Sequence, residues 1–366
     1  MTGESYDVPQ RRLARADARL SRRLENGKGI WCLDLPRPGG ERFRLEHPGG
    51  PAAPPDAIAS LLPAFLRGED VVTVPVDQQD GEKPAAEPIG LLRAMLERQY
   101  AEILRHDPGV RLDLDKEDVH RLRVAVRRAR AVLRAARPVL DPQWSEPLRG
   151  ELKWLGGSLG PRRDLDVLVG RLRDEIAGLD EPERTAASAL VDQLETERDG
   201  GQAMAVEALS SERYYRLLDA LEGAARGPRV RRGEISLATL ARREFKRLRK
   251  VAEQLGPDST DDELHRVRIL GKRTRYAAEL AEPEVGKPAR KVVAAAKRFQ
   301  DVLGAHQDAI VAEARLRELF KGRTGSGAAF AAGRLVERER ERRKAARADL
   351  PKAWRSLDRA ARDAWA

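Results

Sequence analysis

Seven arginines and one histidine, with no acid among them, fall within residues 119–137, VHRLRVAVRRARAVLRAAR. Side chains of these types bind oxyanions. A guanidinium offers a planar fork of donors that suits phosphate oxygens, and an imidazole can donate to the same atoms. At helical spacing His120, Arg123, Arg127, Arg130 and Arg134 share one face, while Leu122, Val126, Ala129 and Leu133 recur on another and can bury. A helix packed on its apolar side holds its cations in place, and cations already held lose less freedom on binding.

The pattern returns at 264–278, LHRVRILGKRTRYAA. His265 follows His120 by 145 residues, and at that offset Arg268 matches Arg123, Lys272 matches Arg127, Arg273 matches Arg128 and Arg275 matches Arg130. The helix starts correspond as well. Asp115 stands where Thr260 stands, and Thr260-Asp261-Asp262-Glu263 reads as a capping box. Residues 289–304 match 145–160 at an offset of 144, which sets Lys297 on Lys153 and Asp308 on Asp164. The order of segments points to an internal duplication. Lys246 and Arg249, on a basic helix expected over 235–255, extend the cationic set.

So much charge of one sign needs counter-charge. Glu151, Asp164, Asp166, Asp301 and Asp308 on neighbouring segments are candidate internal partners; a bound polyanion is the other source. His120 and His265 read either as donors to phosphate or as residues that cap and pack the helix start. Arginines crowd both and repel a metal cation, so no metal site is expected. Lys153 and Lys297 fit a site in each half or plain surface solvation, and Tyr276 fits packing or a phosphate contact. Arg163-Asp164 reads as an internal pair, and His306, opposite Arg162 in the repeat, as a surface residue; His47 and His106 carry no pattern. No nucleophile–base arrangement and no Walker-type loop occurs, so no catalytic residue and no cofactor are expected.

Charged residues make up 35% of the 366 and aromatics 4%, which favours helices over sheets. The net charge of +10 points to polyanionic partners. The single cysteine, Cys32, excludes a disulfide framework or a Cys-based zinc site. No apolar run spans a membrane, and no apolar stretch follows the N-terminal charges, so a cytoplasmic chain without a signal peptide is expected. Residues 1–77 read as a small α+β segment, patterned from 15 onward, with Asn26-Gly27 as a hairpin turn and a helix over 55–67 interrupted by Pro63. Residues 78–88 read as a linker. Residues 89–366 read as helical, with one repeat at about 89–227 and another at about 234–366. In the second, separate helices are expected over 289–304, 309–322 and 327–348, with Pro351 opening a last short one. The fold class is mainly α: two pseudo-symmetric bundles around a basic cavity, after the α+β unit.

The two stripes, with Val119-His120-Arg121-Leu122-Arg123 and Leu264-His265-Arg266-Val267-Arg268, resemble the CHAD family, the conserved-histidine alpha-helical domain. LGPRRDLDV at 159–167 and LGAHQDAIV at 303–311 are similar to its partner segments. The resemblance covers about 89–366 and implies two helical bundles around a basic cavity and a link to inorganic polyphosphate. Leu20-Ser21-Arg22-Arg23, Trp31–Pro36 and ERFRLEHPGG resemble early parts of a CYTH domain. CYTH enzymes bind triphosphate in a closed β-tunnel and use a Glu-x-Glu-x-Lys motif with divalent metal. That motif is absent, Asp34 stands where the family usually has lysine, and the strands are too few to close a tunnel. The resemblance therefore implies a remnant without triphosphatase activity.

The expected function is binding of inorganic polyphosphate without catalysis, with possible targeting to polyphosphate granules. A nucleic-acid-binding protein and a residual CYTH-type triphosphate hydrolase are the alternatives; no protein partner is identified. The expected binding residues are His120, Arg123, Arg127, Arg128, Arg130, Arg134, Lys153, Lys246, Arg249, His265, Arg268, Lys272, Arg273, Arg275 and Lys297.

Overall fold

A computed structural model describes residues 4–37, 40–75, 88–231, 236–321 and 326–365. The linker expected over 78–88 lies outside the described residues, apart from Pro88, where a helix opens.

The N-terminal strands β1 (Glu4–Asp7), β2 (Arg19–Glu25), β3 (Lys28–Pro36), β4 (Arg42–Pro48) and β5 (Val72–Val74) form one antiparallel sheet in the order β4-β3-β2-β1-β5. Asn26 and Gly27 turn the β2–β3 hairpin with φ of 50° and 75°, between paired Glu25 and Lys28. Positive φ at both central residues is what a two-residue hairpin turn demands. Three short helices accompany the sheet: α1 (Arg12–Arg15), α2 (Asp56–Ala59) and α3 (Pro63–Leu66). Pro63 divides the last two and sits at the start of α3. β1 and α1 arise where the sequence shows no pattern. Each is only four residues long, too short for a periodicity, and they are tied together by buried Asp7, which accepts from the amides of Val8, Leu13 and Ala14 at 2.8–3.0 Å.

The first helical repeat comprises α4 (Pro88–Arg111), α5 (Lys116–Ala135), α6 (Pro142–Ser158), α7 (Gly160–Ile176), α8 (Glu181–Leu209) and α9 (Glu212–Arg226). The second comprises α10 (Leu237–Ala252), α11 (Asp261–Val285), α12 (Lys287–Phe320) and α13 (Ser326–Trp365). Both stripe helices are capped as their sequences require. Asp115 accepts from the Glu117 amide at 2.9 Å, and Thr260 and Glu263 form the reciprocal capping box.

The repeats differ where proline falls. Gly160-Pro161 separates α6 from α7, because the ring has no N–H to continue the ladder. At the equivalent place the second repeat has Gly304-Ala305, and α12 runs unbroken through it. The two helices expected over 289–304 and 309–322 are therefore one. Likewise Pro351 lies inside α13 rather than opening a new helix, because α13 is held along α12 and buries Leu350, Leu357 and Ala361 on either side of the proline.

One buried apolar cluster runs from Leu13, Trp31, Ile58 and Phe65 of the N-terminal unit into Leu96 and Tyr100 of α4 and on through both repeats. The N-terminal unit is thus docked on the helices, and Glu222 of α9 receives Arg12, Arg15 and Arg67 from it. A second cluster joins α7 and α8 to α12 and α13 through Leu172, Leu194, Leu316 and Leu335.

Where α4 meets α5, His106 is buried, its Nδ1 2.9 Å from Asp118 Oδ1 and its Nε2 3.5 Å from Glu102. Burial pushes its pKa down, but bonds and charge from Asp118 and Glu102 outweigh that and leave it raised. The stability it lends is complete below its ordinary value and is lost as pH rises through the raised one. Gly109 admits the Asp118 carboxylate: a Cβ there would lie 2.2 Å from Oδ2. Gly109→Ala is expected to cost about 2–3 kcal/mol in denaturant unfolding, by displacing a buried ion pair. An unchanged midpoint would mean that Asp118 can move freely.

Candidate functional site

The two stripe helices pack against each other, and a groove of about 520 Å³ opens beside their contact. α5 and α11 form one side, and the N-terminal part of α7 with the C-terminal half of α12 forms the other. Its lining repeats across the duplication: Arg123 with Arg268, Arg127 with Lys272, Asp164 with Asp308, Val167 with Val311 and Arg171 with Arg315. His120 and Arg163 add to the first half's share.

The groove has a charged end and a neutralised end. At the α7/α12 end Arg171 is 3.3 Å from Glu339 and Arg315 pairs with Glu197. At the α5/α11 end Arg123 pairs with Asp164 at 2.6 Å, and Arg127 donates from Nε to the Tyr276 hydroxyl at 3.1 Å. Among the described residues, no carboxylate lies within 4.0 Å of the charged groups of Arg127, Arg163, Arg268 or Lys272. Arg268 Nε is moreover a buried donor without a partner. Burial, with Arg268 and Arg127 close by, pushes the Lys272 ammonium down to about 8. Burial and Arg163 push His120 below its ordinary value, and burial lowers Arg163 and Arg268 too. Each of these groups would hold its charge more readily with an anion beside it.

The structure brings together five of the fifteen expected residues: His120, Arg123, Arg127, Arg268 and Lys272. Arg130, Arg134 and Arg273 lie further along α5 and α11 beside Arg149; burial lowers all three, and that arginine lowers them further. The other seven are placed elsewhere. Arg128 faces a separate cleft on the adjacent face of α5. Arg275 turns to Glu279 at 2.8 Å. His265 is exposed and held by Gln307 at 2.9 Å, away from the groove, so the two stripe histidines are not equivalent. Lys153 is exposed and Lys297 pairs with Asp301 on its own helix, and neither lines the groove. Lys246 is exposed and Arg249 pairs with Glu253 at 2.6 Å, because α10 presents that face outward.

Three further readings are corrected. Asp164 pairs with Arg123 and not with Arg163. His306 is buried rather than superficial, between Arg347 at 3.2 Å and Asp261 at 3.3 Å. His106, without pattern in the sequence, anchors α4 to α5. Of the five acids considered as internal partners, only Asp164 pairs with a groove cation: Glu151 takes Arg213, Asp166 takes Arg162 and Arg198, Asp301 takes Lys297, and the Asp308 carboxylate forms no ion pair within 4.0 Å. Sequence reasoning missed Val167, Arg171, Val311 and Arg315. The 144-residue offset that set Asp308 on Asp164, continued for seven more positions, finds all four.

In the N-terminal unit, Asp34, standing where the CYTH resemblance expects lysine, is bound by Arg42 and Arg44. That face of β3 is an internally satisfied ion cluster. No helix among the described residues is long and apolar enough to cross a membrane.

A CHAD domain model matches residues 94–317. Two Mycobacterium tuberculosis proteins, Rv2226 of strain H37Rv and MT2285 of strain CDC 1551, are each 31% identical over 332 residues, which is 87% of this chain and 61% of theirs. The chain thus spans about three fifths of the length of these relatives. Among solved structures, PptA from Streptomyces chartreusis superposes with a TM-score of 0.61 at 26% identity, over 75% of this chain and all of its own. The CHAD domain from the plant Ricinus communis superposes with a TM-score of 0.59 at 27% identity, over 77% of this chain and 95% of its own.

Proposed function

The chain belongs to the CHAD family, and from that premise we propose that its groove binds inorganic polyphosphate, by charge and hydrogen bonding and without making or breaking a bond. Family membership supports a polyphosphate-related role. The observation that carries the proposal is the trio Arg127, Arg268 and Lys272, drawn from both repeats into one groove with no carboxylate of the described residues within 4.0 Å of their charged groups. A linear chain of phosphates supplies about one charge per repeat and satisfies cations from both halves at once. Capture of this kind would tether the protein at polyphosphate granules in the cytoplasm. Single-stranded nucleic acid is the competing ligand, but its bases call for stacking partners, and among the described residues no aromatic side chain lines the groove.

Binding of long-chain polyphosphate to the full chain at two salt concentrations tests this. Neutralising four or five phosphates would give a log–log salt slope near −3, at roughly −0.7 per contact as for single strands. Excess single-stranded DNA should fail to displace the ligand. Salt-insensitive binding, or equal displacement by DNA, would overturn the proposal.

The pH dependence has a definite sign. Free Lys272 gives up its proton above about 8, and an adjacent polyanion restores its ordinary affinity for it. Affinity should therefore fall as pH rises from 8 towards 10, by up to about tenfold per pH unit. On the acid side affinity should rise as pH falls through the lowered value of His120. Titration at constant ionic strength checks both, and an affinity unchanged between pH 7 and 9.5 would remove Lys272 from the site.

A further inference from the structure

We propose that the cleft between the N-terminal sheet and the α4–α5 pair is a second polyanion-binding segment, continuous with the groove across His120. The docked N-terminal unit would then lengthen the run of phosphates the protein can hold. This rests on the polyphosphate reading of the groove and adds to it a separate site.

The cleft has a volume of about 530 Å³. α4 and α5 form one wall, and Asp17, Pro36 and Arg42 belong to the other. Among the described residues, His120 and Val124 alone line both the cleft and the groove. The imidazole therefore stands on the ridge between two cavities that open on adjacent faces of α5. Arg127 and Arg128, adjacent in sequence, point into one each.

Three of the cleft's four acids are committed, and the fourth, Glu41, is exposed on the rim without an ion pair among the described residues. Glu102 is shared by Arg105 at 3.0 Å and His106 at 3.5 Å, Asp17 pairs with Arg42 at 3.2 Å, and Glu117 lies 3.5 Å from Arg121. Arg98 and Arg128 remain. Both line the cleft, and neither has a carboxylate within 4.0 Å of its guanidinium among the described residues. Two arginines without a carboxylate within 4.0 Å, in a cleft where only the exposed Glu41 is left unpaired among the acids, repeat at smaller scale the condition of the groove. The geometry suits an extended chain of oxyanions that fills the groove, passes His120 and continues into the cleft. A short oligophosphate would be held by the groove alone.

The test compares tripolyphosphate with long-chain polyphosphate on the full chain, for wild type, Arg98→Glu/Arg128→Glu and Arg127→Glu. The cleft variant should bind the long chain about tenfold or more weakly, with a salt slope shallower by about 1–2, while its tripolyphosphate affinity stays at the wild-type value. Arg127→Glu should weaken both ligands. The milder Arg98→Gln/Arg128→Gln should show the same selectivity at smaller size, which guards against a folding artefact. Long-chain affinity unchanged in the cleft variants would overturn the second segment and leave the groove reading intact. So would an equal loss for both ligands in the glutamine variant. If wild type bound neither ligand, the groove reading itself would fall. A cleft variant impaired for single-stranded DNA but not for polyphosphate would also overturn the inference, and would assign the cleft to nucleic acid.

Discussion

Arg127→Glu combined with Lys272→Glu is expected to weaken polyphosphate binding at low salt by about a thousandfold or more. The two residues are equivalent in the duplication and face the same groove, one from each half. Losing one partner of a close, partly buried charge pair costs about 2–5 kcal/mol, so two losses exceed about 4 kcal/mol, or about three orders of magnitude in affinity. The fold should tolerate the change. Arg127 gives up a single hydrogen bond, to the neutral hydroxyl of Tyr276, and the new carboxylates fall among Arg123 and Arg268, which already lower the cation at 272. Linkage points the same way. The folded value of Lys272, about 8, lies below its ordinary 10.5, so the unfolded chain binds more protons between those limits and stability rises with pH across that window. The ammonium is thus a liability to the free protein, and removing it should not lower the melting temperature. Isothermal titration beside thermal melting decides the matter. A folded double variant with wild-type affinity would place the polyanion outside the groove.

The second large effect is expected at the junction of the two units. Glu222 is buried and accepts from Arg12 at 3.1 Å, Arg15 at 3.0 Å, Arg67 at 2.6 Å and Arg226 at 2.7 Å. The Arg12 and Arg67 side chains are themselves only 6% and 3% exposed, so removing the carboxylate leaves charge in the interior without its counter-ion. Such losses cost about 3–5 kcal/mol. Arg12 keeps Glu69 and the Phe65 carbonyl, and Arg67 keeps Asp219, which puts Glu222→Gln near the lower end. The loss should be local. In hydrogen exchange the amides of β1 and β2 should lose protection before those of α5 and α11, and tripolyphosphate should still bind. Burial pushes the Glu222 carboxyl up, but Arg67 and Arg12 outweigh it and hold it below the ordinary carboxylate value. Its contribution is complete above about 4.5 and disappears as pH falls through the lowered folded value. Equal protection of the sheet amides in variant and wild type would show that apolar packing alone docks the unit.

Much of this protein can be read from its residues in order. Helix faces follow from spacing, because the backbone turns by a fixed angle per residue whatever the neighbours do. The stripes on α5 and α11, their caps at Asp115 and Thr260, the hairpin at Asn26-Gly27 and the duplication are all of this local kind. What spacing leaves open is what each face meets. The cations of α5 cover more of its circumference than one cavity can take, and packing on both sides divides them: Arg123 and Arg127 turn to the groove, Arg128 to the cleft. His120 and His265 occupy equivalent positions, yet one bridges two cavities and the other is exposed against Gln307, because the N-terminal unit covers only the first repeat. Lys297 and Arg249 pair with acids one turn away on their own helices, Arg249 with Asp358 of α13 at 3.7 Å as well. His106 shows no pattern and His306 reads as a surface residue because their partners, Asp118 for one and Arg347 for the other, come from different helices. The sequence by itself determined which residues lie on a common helix face and that the set occurs twice. Only the tertiary structure decided which of them share a cavity, since that depends on helices whose meeting is set by burial of apolar surface far along the chain.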